Sequence, residues 1–468
     1  MNQSKNILAG FDNGIIIEHT WMEEKRGQNI VHMSLKFKRH QHICTVCHSE
    51  NAWTDNCGKD RNVFHLPQSR RPCIVHFHQN RYRCLDCHNT YFEQFDWLCN
   101  GTRMTRELFD CIRNDLAHPS TKKEIARING VTEYFVDKVL ESIVIPAPRH
   151  LPDIVCLDET KADARLYDPR TEKTLFAKFV TNFSDGTDGR VLDLLPYKTK
   201  SMLIRYFMDH YSNPERSKVR FLCCDMGKQY LNLAKDCFPN AIVCVDNYHI
   251  IARLNQAVDD TRRKLQNCLP ETACKDLKNL QKRLLTAPSN QNDYWGKKTE
   301  SISARLLDAF DRYPDLREAY AMLQYFHDIT RNTYDLSVRC QDLDLWISTF
   351  ENSLVDDVRS AVSTISGHLP FIHNAWKYKL SNATCEGNNN ALKALKKISY
   401  GIHDFDYLRT RILLICGRPG VSRSKKKKVK PFQKNKESFF YRNFPALEDY
   451  SSTVTLEYLN SKGAQKYE

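Results

Sequence analysis

Two residue patterns in this chain have the types and spacing for chemistry. The first is a pair of knuckles, Cys44-x-x-Cys47 and Cys84-x-x-Cys87. A two-residue gap lets both thiolates of a knuckle bind one tetrahedral ion, and a second knuckle completes a closed four-sulfur zinc site. Two unrelated CxxC pairs are the plain alternative, but so small and polar a module is hard to stabilise without metal. His48, Cys57 and His88 lie nearby as substitutes and are each read as non-ligands. The second pattern is acidic. Asp158 follows the apolar run "IVCL", Asp225 follows "VRFLCC", and Glu386 opens "EGNNNALKALKKI". An ionised carboxylate at a buried strand end needs compensation, and a bound cation is the usual one. Magnesium or manganese needs few carboxylates beside waters and substrate oxygens. Two such ions can serve both sides of an in-line phosphoryl displacement. Taken singly, each acid reads better as a strand-end or helix-cap residue than as a metal ligand.

From Glu386, residues Asn390, Lys393 and Lys397 follow at helical steps, giving a face with metal at one end and phosphate backbone further along. Asp193 in "RVLDLLP" and Asp246 in "VCVDNYHI" compete with the three acids, Asp246 as a supporting or alternative ligand. His249 reads as a packed or DNA-adjacent residue, because metal-activated water needs no protein base.

The elements that must position these groups follow from the patterning. Residues 153–250 alternate β-rich runs ("DIVCLD", "TLFAKFVTNF", "GRVLDLLP", "VRFLCCD", "AIVCVD") with helical stretches near 199–211 and 227–237. Three strands in succession, then strands alternating with helices, predict a mixed α/β sheet. From 251 to 376 strand signals vanish and charged amphipathic helices take over; Leu316, Tyr320, Leu323, Phe326 and Ile329 recur at helical spacing and are assigned to core. Residues 377–417 supply the final helices, with a start expected near Cys385. Residues 1–40 carry weak strand signals, 41–99 hold the knuckles, and the proline-rich "IPAPRHLP" (145–152) reads as a linker.

Within 100–145, "STKKEIARINGVTEYFVDKVLES" splits into two short helices around Asn129-Gly130. Thr121 and Glu124 fit a capping box, and Thr132 a second cap. Ile125, Ala126, Val131, Val136 and Val139 would pack the pair, leaving Glu133, Tyr134, Asp137 and Lys138 exposed on a helix able to enter a major groove. In the knuckle module, Arg61, Arg70, Arg71, Arg81 and Arg83, interleaved with Phe77 and Tyr82, read as a phosphate-facing surface with aromatic contacts. The net charge of +13 fits a polyanionic partner. The Lys/Arg-rich tail at 418–468 reads as a solvated segment able to hold nucleic acid nonspecifically. Most of the eighteen cysteines are scattered singly in apolar runs, which implies a reducing, cytoplasmic setting; no signal peptide or membrane-length apolar run is seen.

The order "LDET", "CCDMGKQYLNLAKDCFPNAIVCVDNYHI", "CEGNNNALKALKKISYGIHDFDYLRTRILL" resembles the DDE transposases of bacterial insertion sequences, nearest the ISL-three family, over roughly residues 40–416. The resemblance implies a zinc ribbon and helix-turn-helix ahead of an RNase H-like (retroviral-integrase-like) core, with a large α-helical insertion between the second and third acids. It implies Asp158, Asp225 and Glu386 as the catalytic, magnesium-binding triad. The expected DNA contacts are Arg70, Arg71, Arg81, Arg83, Tyr134, Lys138, Lys393 and Lys397. The implied activity is binding of terminal inverted repeats, metal-dependent cleavage and strand transfer, by a homodimer or larger assembly on double-stranded DNA. The rival readings are a non-catalytic DNA-binding regulator and a nuclease or recombinase on the same fold that cuts without joining. The chain departs from the family after Asp158: instead of a short basic stretch with glycine and histidine, it reads "ETKADARLYDPRTEKTLFAKFV".

Overall fold

The computed structural model describes residues 14–417, except 39, 41, 56, 100, 169–171, 270, 286–298, 332–334 and 400. The basic tail expected at 418–468 lies outside the described residues.

The N-terminal part holds two sheets. Strands β1 (Ile15–Lys25), β2 (Gln28–Phe37), β4 (Lys59–Gln68) and β5 (Arg71–Gln79) form a sheet of order β1-β2-β5-β4. Strands β3 (Ala52–Thr54), β6 (Arg81–Cys84) and β7 (Thr90–Phe92) form a small antiparallel one. The division expected at residue 40 therefore cuts through a sheet. Ile15, Val31, Met33 and Leu35 pack with Val63, Val75 and Phe77 in one core, and β2 pairs with β5 in parallel. The signal was weak because most of β1 is exposed.

Helices α1 (Arg106–Asp115), α2 (Lys122–Ile128) and α3 (Glu133–Glu141) follow. Their shared core includes Leu108, Ile112, Ile125, Val136 and Val139. The Thr121 side chain accepts from the Glu124 amide, but the Glu124 carboxylate pairs with Arg127 instead of reaching back, so the box is half formed. Thr132 occupies the N-cap position of α3 without a side-chain cap bond. Gly130 sits at φ +63 in the turn, where a Cβ would come 2.9 Å from Pro72 Cα. That turn is therefore pressed against the start of β5, a closeness only glycine permits.

The central sheet has order β10-β9-β8-β11-β12. Strands β8 (Ile154–Asp168), β9 (Lys173–Asp185) and β10 (Val191–Leu195) are antiparallel neighbours, while β11 (Phe221–Cys224) and β12 (Ile242–Val245) run parallel to β8. The last two are short continuous apolar runs, as strands covered on both faces should be. Helices α4 (Lys200–His210), α5 (Asn213–Arg216) and α6 (Lys228–Cys237) make the connections, and residues of α4 and α6 pack on one face of the sheet. Strand β8 does not stop at Asp158 as expected. It continues for ten residues because Thr160, Ala162 and Ala164 turn inward while Lys161 and Arg165 face solvent. This alternation belongs to a half-buried antiparallel strand.

The helices after β12 are α7 (Asn247–Asn267), α8 (Glu271–Leu284), α9 (Thr299–Arg312), α10 (Pro314–Arg331), α11 (Leu336–Phe350), α12 (Asp356–Ser366) and α13 (Leu369–Tyr378). Their common core contains the stripe Leu316, Tyr320, Leu323, Phe326 and Ile329 and extends back to Val245 at the sheet. Helices α14 (Ala383–Ile398) and α15 (Phe405–Cys416) then return to cover the other sheet face. Glu386 thus lies within the first turn of α14 and does not start it. Among the described residues, no helix is long and apolar enough to cross a membrane.

Candidate functional site

The knuckles converge tightly. The Sγ atoms of Cys44, Cys47, Cys84 and Cys87 all lie within 4.8 Å of one another, with Cys44–Cys87 and Cys47–Cys84 at 3.5 Å. Thiolates about 2.3 Å from a tetrahedral zinc ion would stand at nearly this separation. Both knuckles fold alike. The Cys44 amide donates to Ser49 O and the Cys84 amide to Asn89 O, and His48 and His88, each just after its knuckle, share φ +59. The two histidines are turn residues outside the sulfur cluster. The Asn89 main-chain amide, helped by its side chain, lowers the Cys87 thiol to about 6, which favours the thiolate a metal needs.

The acidic groups meet more loosely at the edge of the central sheet. Asp225 directly follows β11, Asp246 follows β12, and Asp158 lies in neighbouring β8. His249, in the first turn of α7, stands between two of them: Nε2 is 3.7 Å from Asp158 Oδ1 and Nδ1 is 3.6 Å from Asp225 Oδ1. Burial raises the proton affinity of the Tyr248 hydroxyl and the nearby Glu386 carboxylate adds to it, which places the third acid beside the start of the same helix. Asp158 is buried and accepts from the Asn389 amide at 2.8 Å through Oδ2. Burial raises its proton affinity and the Asp225 charge adds to this, while His249 opposes both. Burial likewise raises Asp246, with His249 opposing and Glu386 adding. Four carboxylates so placed repel one another, and a cation relieves them all at once. Among the described residues, however, only the four thiols draw their donor atoms within 4.8 Å of one another as a group of three or more ligands.

The floor of this site is sulfur. Cys156, Cys223 and Cys244 stand in register across β8, β11 and β12, two residues before Asp158, Asp225 and Asp246, and Cys385 precedes Glu386. All four are buried in one cluster. Small apolar thiols let α14 approach the sheet closely. Amides then fasten it: Asn389 Oδ1 accepts from Asn182, Asn388 donates to Ser184 Oγ and Gly189 O, and Asn382 donates to Leu157 O. The helical insertion supports the second acid, since the His368 ring donates to Met226 O beside Asp225.

Two nearby acids are otherwise engaged. Asp193 is buried with Arg409 at 2.6 Å and the Tyr206 hydroxyl at 2.7 Å. Glu159 accepts from Gln229 and Tyr230 and pairs with Lys198. Sequence reasoning missed Asn389 and underrated His249. The "NNN" tract was the available signal for Asn389, but the reading singled out Asn390, which is exposed along with Lys393 and Lys397.

Of the remaining expected DNA contacts, Arg70 and Arg71 lie at the exposed turn between β4 and β5, whose next residue, Pro72, touches the Gly130 turn. Tyr134 is exposed on α3, as is Lys138, which pairs with Glu141 at 2.6 Å. Arg83 is exposed, but Arg81 is tied to Asp55 at 3.0 Å. Phe77 and Tyr82 do not form the expected aromatic surface: both are buried, because each belongs to the inward-facing set of its strand.

A mixed sheet with acids gathered at one edge and a separate thiol cluster defines a class, and comparison with known proteins supplies the family. The family model for DDE transposases of the ISL3 (ISL-three) type, described as a transposase, matches residues 155–412, more than half of the sequence, and the chain belongs to that family. The transposase of insertion sequence element IS1557 from Mycobacterium tuberculosis is 21% identical over 248 residues, 48% of this chain and 53% of that protein. The chain thus spans about half the length of that relative. The transposase of IS1001 from Bordetella parapertussis is 22% identical over 357 residues, 75% of this chain and 83% of the relative. A solved structure titled Drosophila P element transposase strand transfer complex is similar at TM-score 0.35 and 10% identity, over 65% of this chain and 91% of that one, too loosely to bear on fold or chemistry.

Proposed function

We propose that this chain is a transposase that binds the terminal inverted repeats of an insertion sequence, cleaves a strand at each end and joins the freed 3′-hydroxyls to target DNA. The observation that carries the reading is the gathering of Asp158, Asp225 and Glu386, residues far apart in sequence, around the first turn of α7. The strand order, with three antiparallel strands followed by two parallel ones, supports an RNase H-like core. Asp158, Asp225 and Glu386 are the residues that would hold divalent magnesium or manganese. When bound at such carboxylates, these ions activate the attacking oxygen and stabilise the leaving one. Asn389 holds the Asp158 carboxylate in one orientation, and Asn382 and Asn388 fix the helix that carries Glu386. His249 stands between Asp158 and Asp225, with one ring nitrogen facing each carboxylate. Cleavage and joining are both displacements at a phosphodiester, so one such site serves both.

The four-thiol cluster is the fitting place for structural zinc. Arg70, Arg71, Arg83, Tyr134 and Lys138 would meet the end DNA, while Lys393 and Lys397, exposed along α14 beyond Glu386, would track the strand leaving the site. Two ends handled together call for a dimer or larger assembly. The free cysteines suit a cytoplasmic setting.

The test is a cleavage and strand-transfer assay on DNA bearing the inverted repeats that flank the gene. The reading predicts a magnesium-dependent nick at the repeat boundary and a joined product. Binding without metal-dependent cleavage would leave a DNA-binding regulator, and cleavage without joining would leave a nuclease.

A further inference from the structure

Helix α15 holds an arginine whose position calls for a role. Arg411 is fully buried. Its Nε donates to Leu116 O at 3.0 Å, its Nη2 to His118 O and Ser120 O at 2.9 Å each, and its Nη1 to the Tyr407 hydroxyl at 2.9 Å. The three carbonyls belong to the connection between α1 and α2, at the C-terminal end of α1, where carbonyls lack helical partners and the helix dipole favours a cation. No carboxylate is among these partners. A buried guanidinium is tolerated only when its donors are satisfied, so this geometry is defined by direction as well as charge. Two residues earlier, Arg409 faces the central sheet: its Nε donates to Asp193 Oδ1 at 2.6 Å and its Nη1 to Ile145 O at 3.1 Å. Leu414 of the same helix is part of the three-helix core. One helix thus grips the sheet with Arg409 and the three-helix unit with Arg411.

The covalent link alone would not fix this relation. Residues 143–153 contain no regular element, and a chain of that length could span roughly 35 Å. Packing is also incomplete at the junction. A cleft of about 780 Å³ opens between the two units, lined by Lys122, Asp137, His403, Asp404 and Tyr407 among others.

We propose that Arg411 is the positioning residue that fixes the distance from the DNA-reading helix α3 to the acids, and so selects the phosphodiester that is cut. The proposal rests on the function above. An enzyme that reads sequence with one unit and cuts with another needs a rigid span between them, and Arg411 joins the two with three directed bonds.

The test uses the full chain with Arg411→Met and Arg411→Lys, on end DNA of natural spacing and on ends with two to five base pairs inserted between the recognition sequence and the cut. Three quantities are read: end affinity, cut position at nucleotide resolution, and the rate of proteolysis within residues 143–152. Arg411→Met should keep end affinity within about twofold, spread its cuts over several phosphodiesters and tolerate the insertions better than wild type. Its linker should be cleaved about tenfold faster, and Arg411→Lys should restore part of the precision. Cutting at one unchanged phosphodiester with wild-type spacing dependence, in either variant, overturns the proposal. Should Arg411→Met fail to fold, the lysine variant decides alone. A wild-type chain that binds ends but never cuts them would count against the transposase reading, while linker proteolysis would still report on the pin: an unchanged rate would overturn it and a faster one support it.

Discussion

The thiol cluster and the acid site are both built from side chains that attract a cation, yet they are assembled in opposite ways. The four thiols come from two copies of one local turn and close within 4.8 Å. The acids come from strand β8, from the ends of strands β11 and β12 and from helix α14, and His249 stands between Asp158 and Asp225. A closed site of this first kind suits a permanent structural ion, while an open one leaves room for waters and a substrate phosphate. On the function proposed above, the difference separates a site that holds metal from a site that uses it.

That contrast can be broken in several places. The largest effect is expected at the thiols. Cys84→Ser should lose about one zinc per chain by elemental analysis and unfold the knuckle module, since structural zinc contributes on the order of 10 kcal/mol of apparent folding free energy. End binding should fall with it, while circular dichroism retains the helical signal of the rest. A variant that keeps its zinc and its affinity would remove the structural half of the comparison. Next, Asp225→Asn should reduce strand cleavage by about a thousandfold, with little change in melting temperature or end affinity. Asn389→Leu should be milder, roughly 10–100-fold, as for residues that orient a metal ligand, and Asn390→Ala, on the exposed side of the same helix, should change little. Equal losses in the two asparagine variants would mean that the helix, and not the bond to Asp158, matters.

The smallest effect concerns the insertion that backs the acid site. Burial lowers His327 to about 4 and raises Asp328 to about 6. The unfolded chain binds the extra proton at His327 between about pH 4 and 6.5, so that residue makes stability rise with pH. The folded chain binds the extra proton at Asp328 between about pH 4 and 6, so that residue makes stability fall with pH. The two slopes offset in the wild type. Relative to it, urea midpoints of Asp328→Asn should climb more steeply from pH 4 to 6, and those of His327→Gln less steeply. Parallel profiles in all three proteins would show that the pair does not titrate in this range.

What could be read from the sequence follows the same division. Knuckle spacing, the apolar runs of β8, β11 and β12, and the stripe of α10 are local patterns, and the elements formed where those patterns lie. The continuation of β8 past Asp158 was hidden because its inward residues are Thr160, Ala162 and Ala164, too small and too polar to register as a run. β1 was hidden because most of its residues face solvent, and its neighbour β2 finds its second partner, β5, only some forty residues on. At the acid site the three carboxylates stood out by type, but Asn389 and His249 gain their meaning only from contacts with Asp158, more than 90 residues away along the chain for His249 and 231 for Asn389. The engagement of Asp193 by Arg409 was likewise beyond any local pattern.

The central claim is that Asp158, Asp225 and Glu386 ligate the ions that run the reaction, and replacing each with cysteine tests it most directly. A thiolate accepts manganese far better than magnesium. The account predicts that Asp158→Cys, Asp225→Cys and Glu386→Cys each lose end cleavage in magnesium and recover much of it in manganese, whereas Asp246→Cys shows no such metal preference. Recovery in manganese at Asp246 but not at Glu386, or equal loss in both metals at all three acids, would contradict it.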